Sequence, residues 1–147
     1  MPTYTCTAAK GLLNNHQKGE IAQAITSAHA EITGAPAYLA QVIFQEVSEG
    51  DHYIGGNPLN HDHVFVYGRI RAGRSAVDRK ALIRRLTDDV AKIAGVTKFS
   101  VWTYLLDLPA AAMVEFGHML PEPGDEPMWN NALPAEDRER MQEILKQ

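Results

Sequence analysis

Three arginines crowd the segment RIRAGRS, residues 69–75, just ahead of a run with helical periodicity. Guanidinium groups beside a helix N-terminus suit a carboxylate or phosphate, because unpaired backbone N–H groups and the positive end of the dipole add to their charge. The plainer reading of Arg69, Arg71 and Arg74 is a solvated turn whose charges meet surface acids. Pro2 follows the initiator methionine. Removal of Met1 would turn its ring nitrogen into a secondary amine, and an α-amino group titrating at about 8 can serve as acid or base. By position alone, proline merely tolerates the start of a strand. His29 sits at the edge of an apolar helical stripe, Tyr104 lies in a strand-like run, and Glu115 stands in AAMVEFG among apolar neighbours that raise a carboxyl pKa. Each has an ordinary alternative: a hydrogen-bonded structural histidine, a packing tyrosine with its hydroxyl at the rim, and an exposed turn glutamate.

Other candidates carry less. HDH at 61–63, with His52 nearby, invites a metal, but no second ligand cluster follows at a characteristic spacing, so a polar loop is expected. Cys6, flanked by threonines, reads as a small packing residue. No glycine-rich nucleotide fingerprint is present.

The elements that must position these residues come in two copies. TYTCT (3–7) is strand-like, and Ile21, Ile25, Ala28 and Ile32 recur at helix spacing over about 17–33, with Gly34 as the stop. YLAQVIFQEV, about 38–47, reads as a buried strand. After a Gly-, Asn- and His-containing loop the order recurs: HVFVYGRI as strand, Ser75 as N-cap, a helix to about Ala94, Gly95, and SVWTYLLDL as the fourth strand. Sliding the halves by about 61 positions aligns Ile21 with Leu82, Ile25 with Leu86, Gly34 with Gly95, and Glu46 with Asp107. The reading is an α/β fold of two tandem β-α-β units related by pseudo-twofold symmetry, forming a four-stranded mixed sheet. The single domain comprises repeat one (about 2–48), repeat two (about 63–108) and a C-terminal tail (about 109–147). That symmetry runs the first strands of the two copies antiparallel and brings Pro2 near Arg71 and Arg74. With both helices on one face of the sheet, the other face needs a cover, for which another copy of the chain is expected. LPAEDRERMQEILKQ at the end reads as a solvated helix.

Composition narrows the function. A net charge of −4 offers no broad basic field, so nucleic acid is not expected as a ligand. No window approaches the roughly 18 apolar residues of a membrane span. A lone cysteine and the absence of a signal-peptide pattern point to the cytoplasm.

Pro2, AITSAHAEITG around His29, GRIRAGRSA around Arg71 and Arg74, VWTYLLDLP around Tyr104 and MVEFGHMLPEPG around Glu115 together resemble the tautomerase superfamily, specifically its cis-3-chloroacrylic acid dehalogenase subgroup. The likeness runs from Pro2 to about Leu133. Phe116 and His118 depart from it, standing where tyrosine and arginine are expected, and the 50–63 loop has no counterpart. The resemblance implies a homotrimeric, cofactor-independent enzyme acting on a small unsaturated carboxylate. Pro2 would be its catalytic amine, Arg71, Arg74 and His29 its substrate contacts, and Tyr104 with Glu115 its water-activating pair. Water addition to cis-3-haloacrylates is the leading activity. A promiscuous hydratase or phenylpyruvate-type tautomerase is the alternative, and a non-catalytic oligomeric binding protein the remaining one.

Overall fold

The computed structural model of the chain describes residues 2–146. Strand β1 (Thr3–Ala9) leads into helix α1 (Asn15–Thr33), a 3-10 turn at Ala37–Leu39 and strand β2 (Gln41–Val47). A small hairpin of β3 (Tyr53–Ile54) and β4 (Asn57–Pro58) precedes the second unit of β5 (Val64–Arg71), α2 (Ala76–Ala94) and β6 (Val101–Leu108). A second hairpin, β7 (Val114–Glu115) and β8 (His118–Met119), is followed by helices α3 (Glu126–Ala132) and α4 (Ala135–Ile144).

Both long helices are bounded by local chemistry. The Asn14 side chain accepts from the Gln17 N–H while the Gln17 side chain accepts from the Asn14 N–H, a reciprocal cap. Ser75 caps α2 by accepting from the Asp78 N–H. Each helix ends on a glycine in the left-handed region, Gly34 and Gly95.

The sheet order is β2-β1-β5-β6, with β1 parallel to β2, β5 parallel to β6, and β1 antiparallel to β5. This is the arrangement that two β-α-β units make across a pseudo-twofold axis. The repeat extends to ion pairs: Lys18 bonds Glu46 at 2.9 Å, and Arg79, 61 positions after Lys18, bonds Asp107, 61 positions after Glu46. The first strands need one more residue of offset. Tyr4 faces Val42 across the first unit and Val66 faces Thr103 across the second, since a slip by one would turn every side chain to the wrong face.

α1 and α2 cover one face, where Tyr4, Cys6, Val64, Val66 and Ile70 meet Ile21, Ile25, Leu82, Leu86 and Val90 in the main core. On the other face Ile43, Trp102, Tyr104 and Leu106 remain exposed.

Three expectations need correction. The second strand begins at Gln41 rather than about 38, because Tyr38 and Leu39 form a 3-10 turn after Pro36. The terminal helix is not a solvated appendage: Met141 is 1% exposed and packs with Leu133, Leu120, Tyr38 and Leu39 in a second core. Nor is the histidine loop wholly polar and exposed, since His63 is buried with its ring edge-on to those of His52 and Trp102. No helix among the described residues is long and apolar enough to cross a membrane.

Candidate active site

The amino terminus lies at the end of the sheet where β5 finishes. Thr3 stands opposite Arg69, so Pro2 falls beside Ile70 and Arg71. Pro2 is fully buried, and its carbonyl accepts from the Gln41 N–H at 2.9 Å, which fixes the strand start against β2. Met1, whose removal the proline chemistry requires, lies outside the described residues.

Arg71 is 3% exposed. One terminal nitrogen donates to the Pro121 carbonyl at 2.5 Å, the other donates to the Glu126 carboxylate, and its Nε finds no partner among the described residues. Arg74 donates to the Thr33 carbonyl at 2.6 Å, at the C-terminus of α1, where orphaned carbonyls favour a cation. Its other terminal nitrogen lies 3.7 Å from Glu126. Burial and the Arg71 charge pull the Arg74 pKa down, against Glu126 and Asp78. Burial pushes the Glu126 carboxyl up, but hydrogen bonds from its own N–H, Arg71 and the Gly124 N–H outweigh this and hold it below its ordinary value.

His29 approaches the same place from the last turns of α1. Its Nδ1 is 2.8 Å from the Tyr4 hydroxyl, and the two rings meet edge-on. Burial, then Arg74 and Arg71, lower the His29 pKa to about 3, and burial raises the Tyr4 phenol. Both groups are therefore neutral at pH 7, and the imidazole is a hydrogen-bonding rather than an ionic contact.

Glu115 is carried by the β7–β8 hairpin. Its two-residue turn, Phe116–Gly117, has both residues at positive φ, 52° and 82°. Such a turn matches the twist of a two-residue hairpin, but an aromatic residue holds the left-handed conformation under strain. His118 Nε2 contacts Asp137 of α4 at 2.9 Å, so the last helix braces the hairpin. Glu115 and Phe116 line a cleft of about 590 Å³ with Thr3, Tyr38 and Gln41. Burial raises the Glu115 pKa, with Arg71 pulling the other way.

Pro2, His29, Arg71, Arg74 and Glu115 thus converge on one end of the sheet. Tyr104 does not join them within one chain. It lies on the helix-free face, 52% exposed, against the edge of Phe65 and in a separate cleft with His63 and Trp102. Two residues escaped the sequence reading. Tyr4 could be recognised only as an inward position of the first strand, with nothing to show its hydroxyl partner. Glu126 sits in the acidic stretch PGDEPMW, 55 positions from the arginine it meets, and no local periodicity signals that pairing.

Comparison with known proteins bears on the family and the fold. The model of a family described as "Putative oxalocrotonate tautomerase enzyme" matches residues 1–132. The fold superposes on the crystal structure of N1, a member of the cis-3-chloroacrylic acid dehalogenase (cis-CaaD) family, with a TM-score of 0.93 and 32% identity over 96% of this chain and 99% of that one. It also matches Pt0534 inactivated by 2-oxo-3-pentynoate (TM-score 0.73, 25% identity, 80% and 94% covered). A third match, sharing the fold at 22% identity, is an asymmetric trimer of a wild-type fused 4-OT (TM-score 0.74, 80% and 94% covered). No curated protein matches the chain in sequence.

Proposed function

The chain belongs to the oxalocrotonate tautomerase family, and on that premise we propose that it is a cofactor-independent hydratase that dehalogenates cis-3-haloacrylates. The observation that carries this reading is the meeting of an amino-terminal proline, two arginines and a carboxyl of raised pKa at one end of the sheet.

In this mechanism Arg71 and Arg74 bind the substrate carboxylate, with His29 as a neutral hydrogen-bonding contact. The paired guanidinium groups stabilise the enediolate-like charge that develops as C3 is attacked. Glu115, as the carboxylate, takes a proton from water while the water oxygen bonds to C3. Pro2, freed from Met1 and carrying a proton, delivers that proton to C2. The resulting halohydrin loses halide and a proton, leaving malonate semialdehyde. Tyr104 orients the water, and its place on the helix-free face makes that a role between subunits: in a homotrimer the exposed face of one copy presents Tyr104 to the site of another.

A second reading draws on the family description. With Pro2 neutral, the same constellation would shuttle a proton in keto–enol tautomerisation of a phenylpyruvate-type acid, with weak dehalogenation beside it.

Halide release from cis- and trans-3-chloroacrylate, with phenylpyruvate tautomerisation in parallel, tests the assignment. Intact mass of the active preparation must show loss of Met1. Arg71→Ala and Glu115→Gln should each lose at least about a hundredfold in kcat/KM, as expected for removing a charge-stabilising or acid–base group. Parental rates in those variants would refute water addition through this site, and tautomerisation without halide release would favour the second reading.

A further inference from the structure

The carboxylate-binding arginines are already holding a carboxylate, and it belongs to the chain. Glu126 Oε1 bonds Arg71 and lies 3.7 Å from Arg74, while its Oε2 accepts from the Gly124 N–H at 2.7 Å. The turn carrying it closes over the arginines. The Pro121 carbonyl takes a second Arg71 donor, and Pro123 packs on Gly73 so closely that a Cβ at Gly73 would meet it at 2.9 Å. Under this cover Arg71 is 3% exposed, and its open donor, Nε, is buried without a partner among the described residues. The turn therefore occupies the Arg71 donors that a ligand carboxylate would take.

We propose that Glu126 is an intrachain stand-in for the substrate carboxylate, a competitor for the arginines that the substrate displaces on binding. The proposal rests on the reading of Arg71 and Arg74 as substrate binders. Its physical basis is that a buried guanidinium without a counter-charge is costly, so the empty site supplies one. A ligand must then offer a negative charge of its own to replace Glu126, and a neutral amide or ester analogue cannot. The exchange of one carboxylate for another lowers the affinity of every ligand that takes the arginines, while the arginines themselves select the anion. Gly124, at φ 101°, holds the turn in a conformation open to glycine just ahead of the seven-residue α3.

The test uses propanoate, a saturated monocarboxylate that binds without turnover, and propanamide as its neutral counterpart. Glu126→Gln keeps the shape and removes the charge. It should bind propanoate about tenfold more tightly than the parent by calorimetry, because no internal anion has to be expelled, and propanoate should stay preferred over propanamide in both proteins, since that cost is common to the two ligands. A purely structural role for Glu126 would move affinity the other way. In the parent, without any variant, saturating propanoate should strip exchange protection from the Gly124 amide, whose acceptor is Glu126, and should change the fluorescence of Trp129 in α3. Equal or weaker propanoate binding by Glu126→Gln would overturn the proposal. So would a Gly124 amide that stays protected in the complex, which decides the matter if the variant does not fold. Propanoate binding with these signatures but no halide release would leave Glu126 in place and refute the catalytic reading. Halide release with a protected Gly124 amide would do the reverse.

Discussion

Lowering the pH from 7 to 5 should destabilise this protein through His29, by an amount the structure fixes. The imidazole is 4% exposed, accepts or donates one hydrogen bond to Tyr4, and faces two arginines, so its pKa falls from 6.5 to about 3. The folded state therefore binds fewer protons than the unfolded chain between those two values. Stability is fully present above about 6.5 and is lost as the pH falls toward 3. Integrating the difference in bound protons from pH 7 to pH 5 gives a loss of about 2 kcal/mol. For a chain of this length that is roughly a 4–8 °C fall in Tm. Glu115, with a raised pKa, acts in the opposite sense, and Glu126, with a lowered one, adds to the loss at more acidic pH. The assay must therefore isolate His29: thermal unfolding of the parent and His29→Phe at pH 7, 6 and 5 and fixed protein concentration, comparing slopes rather than absolute Tm. The variant should lose most of the pH dependence over this range, and the His29 ring resonances of the parent should not titrate above pH 4. An unchanged slope in His29→Phe, or a ring that titrates near 6.5, would refute the account of this histidine as a buried neutral group.

Gly68→Ala would place a Cβ 2.5 Å from Tyr4 Cε1 and 2.7 Å from Leu105 Cδ2. It should cost about 1–3 kcal/mol by overpacking, measured by denaturant unfolding, and pairing it with Tyr4→Leu should recover part of that cost. Phe116→Asn relieves an aromatic residue of its left-handed conformation and should stabilise the chain by about 1 kcal/mol in the same assay. In the proposed trimer, Leu106→Glu on the exposed sheet face should leave the circular dichroism of the chain unchanged while shifting its sedimentation to the monomer and abolishing activity. A Leu106→Glu protein that stays trimeric and active would remove that face from the assembly and Tyr104 from the neighbouring site.

The tandem unit, the start of its second helix, the ends of both helices and the antiparallel meeting of the first strands were legible in the chain because they rest on local signals. Ile21, Ile25 and Ile32 at helix spacing, Ser75 ahead of the second helix, and Gly34 and Gly95 after the two helices constrain residues a few positions apart. Once those elements repeat, the handedness of β-α-β connections leaves few ways to pair them, and Pro2 falls beside Arg71 by topology alone. Periodicity placed His29 at the edge of the apolar stripe of the first helix, and resemblance of motifs then gave it and Glu115 their roles.

What the tertiary structure alone decided depends on contacts between distant, aperiodic segments. The tail beyond residue 120 has polar, Pro-rich spacing, yet Met141 and Leu133 find an apolar surface at Tyr38 and Leu39 that only the folded sheet creates. The neutrality of His29 follows from burial against Tyr4 and two arginines brought from two other places in the chain. Tyr104 shares a motif with the site in sequence, but strand parity turns it to the opposite face from Tyr4. Glu126 lies 55 positions from Arg71, and their pairing is favourable only because both are withdrawn from water at the same point. Sequence determined which side chains the chain carries to this end of the sheet, and three-dimensional burial decided which of them are charged, covered and already engaged.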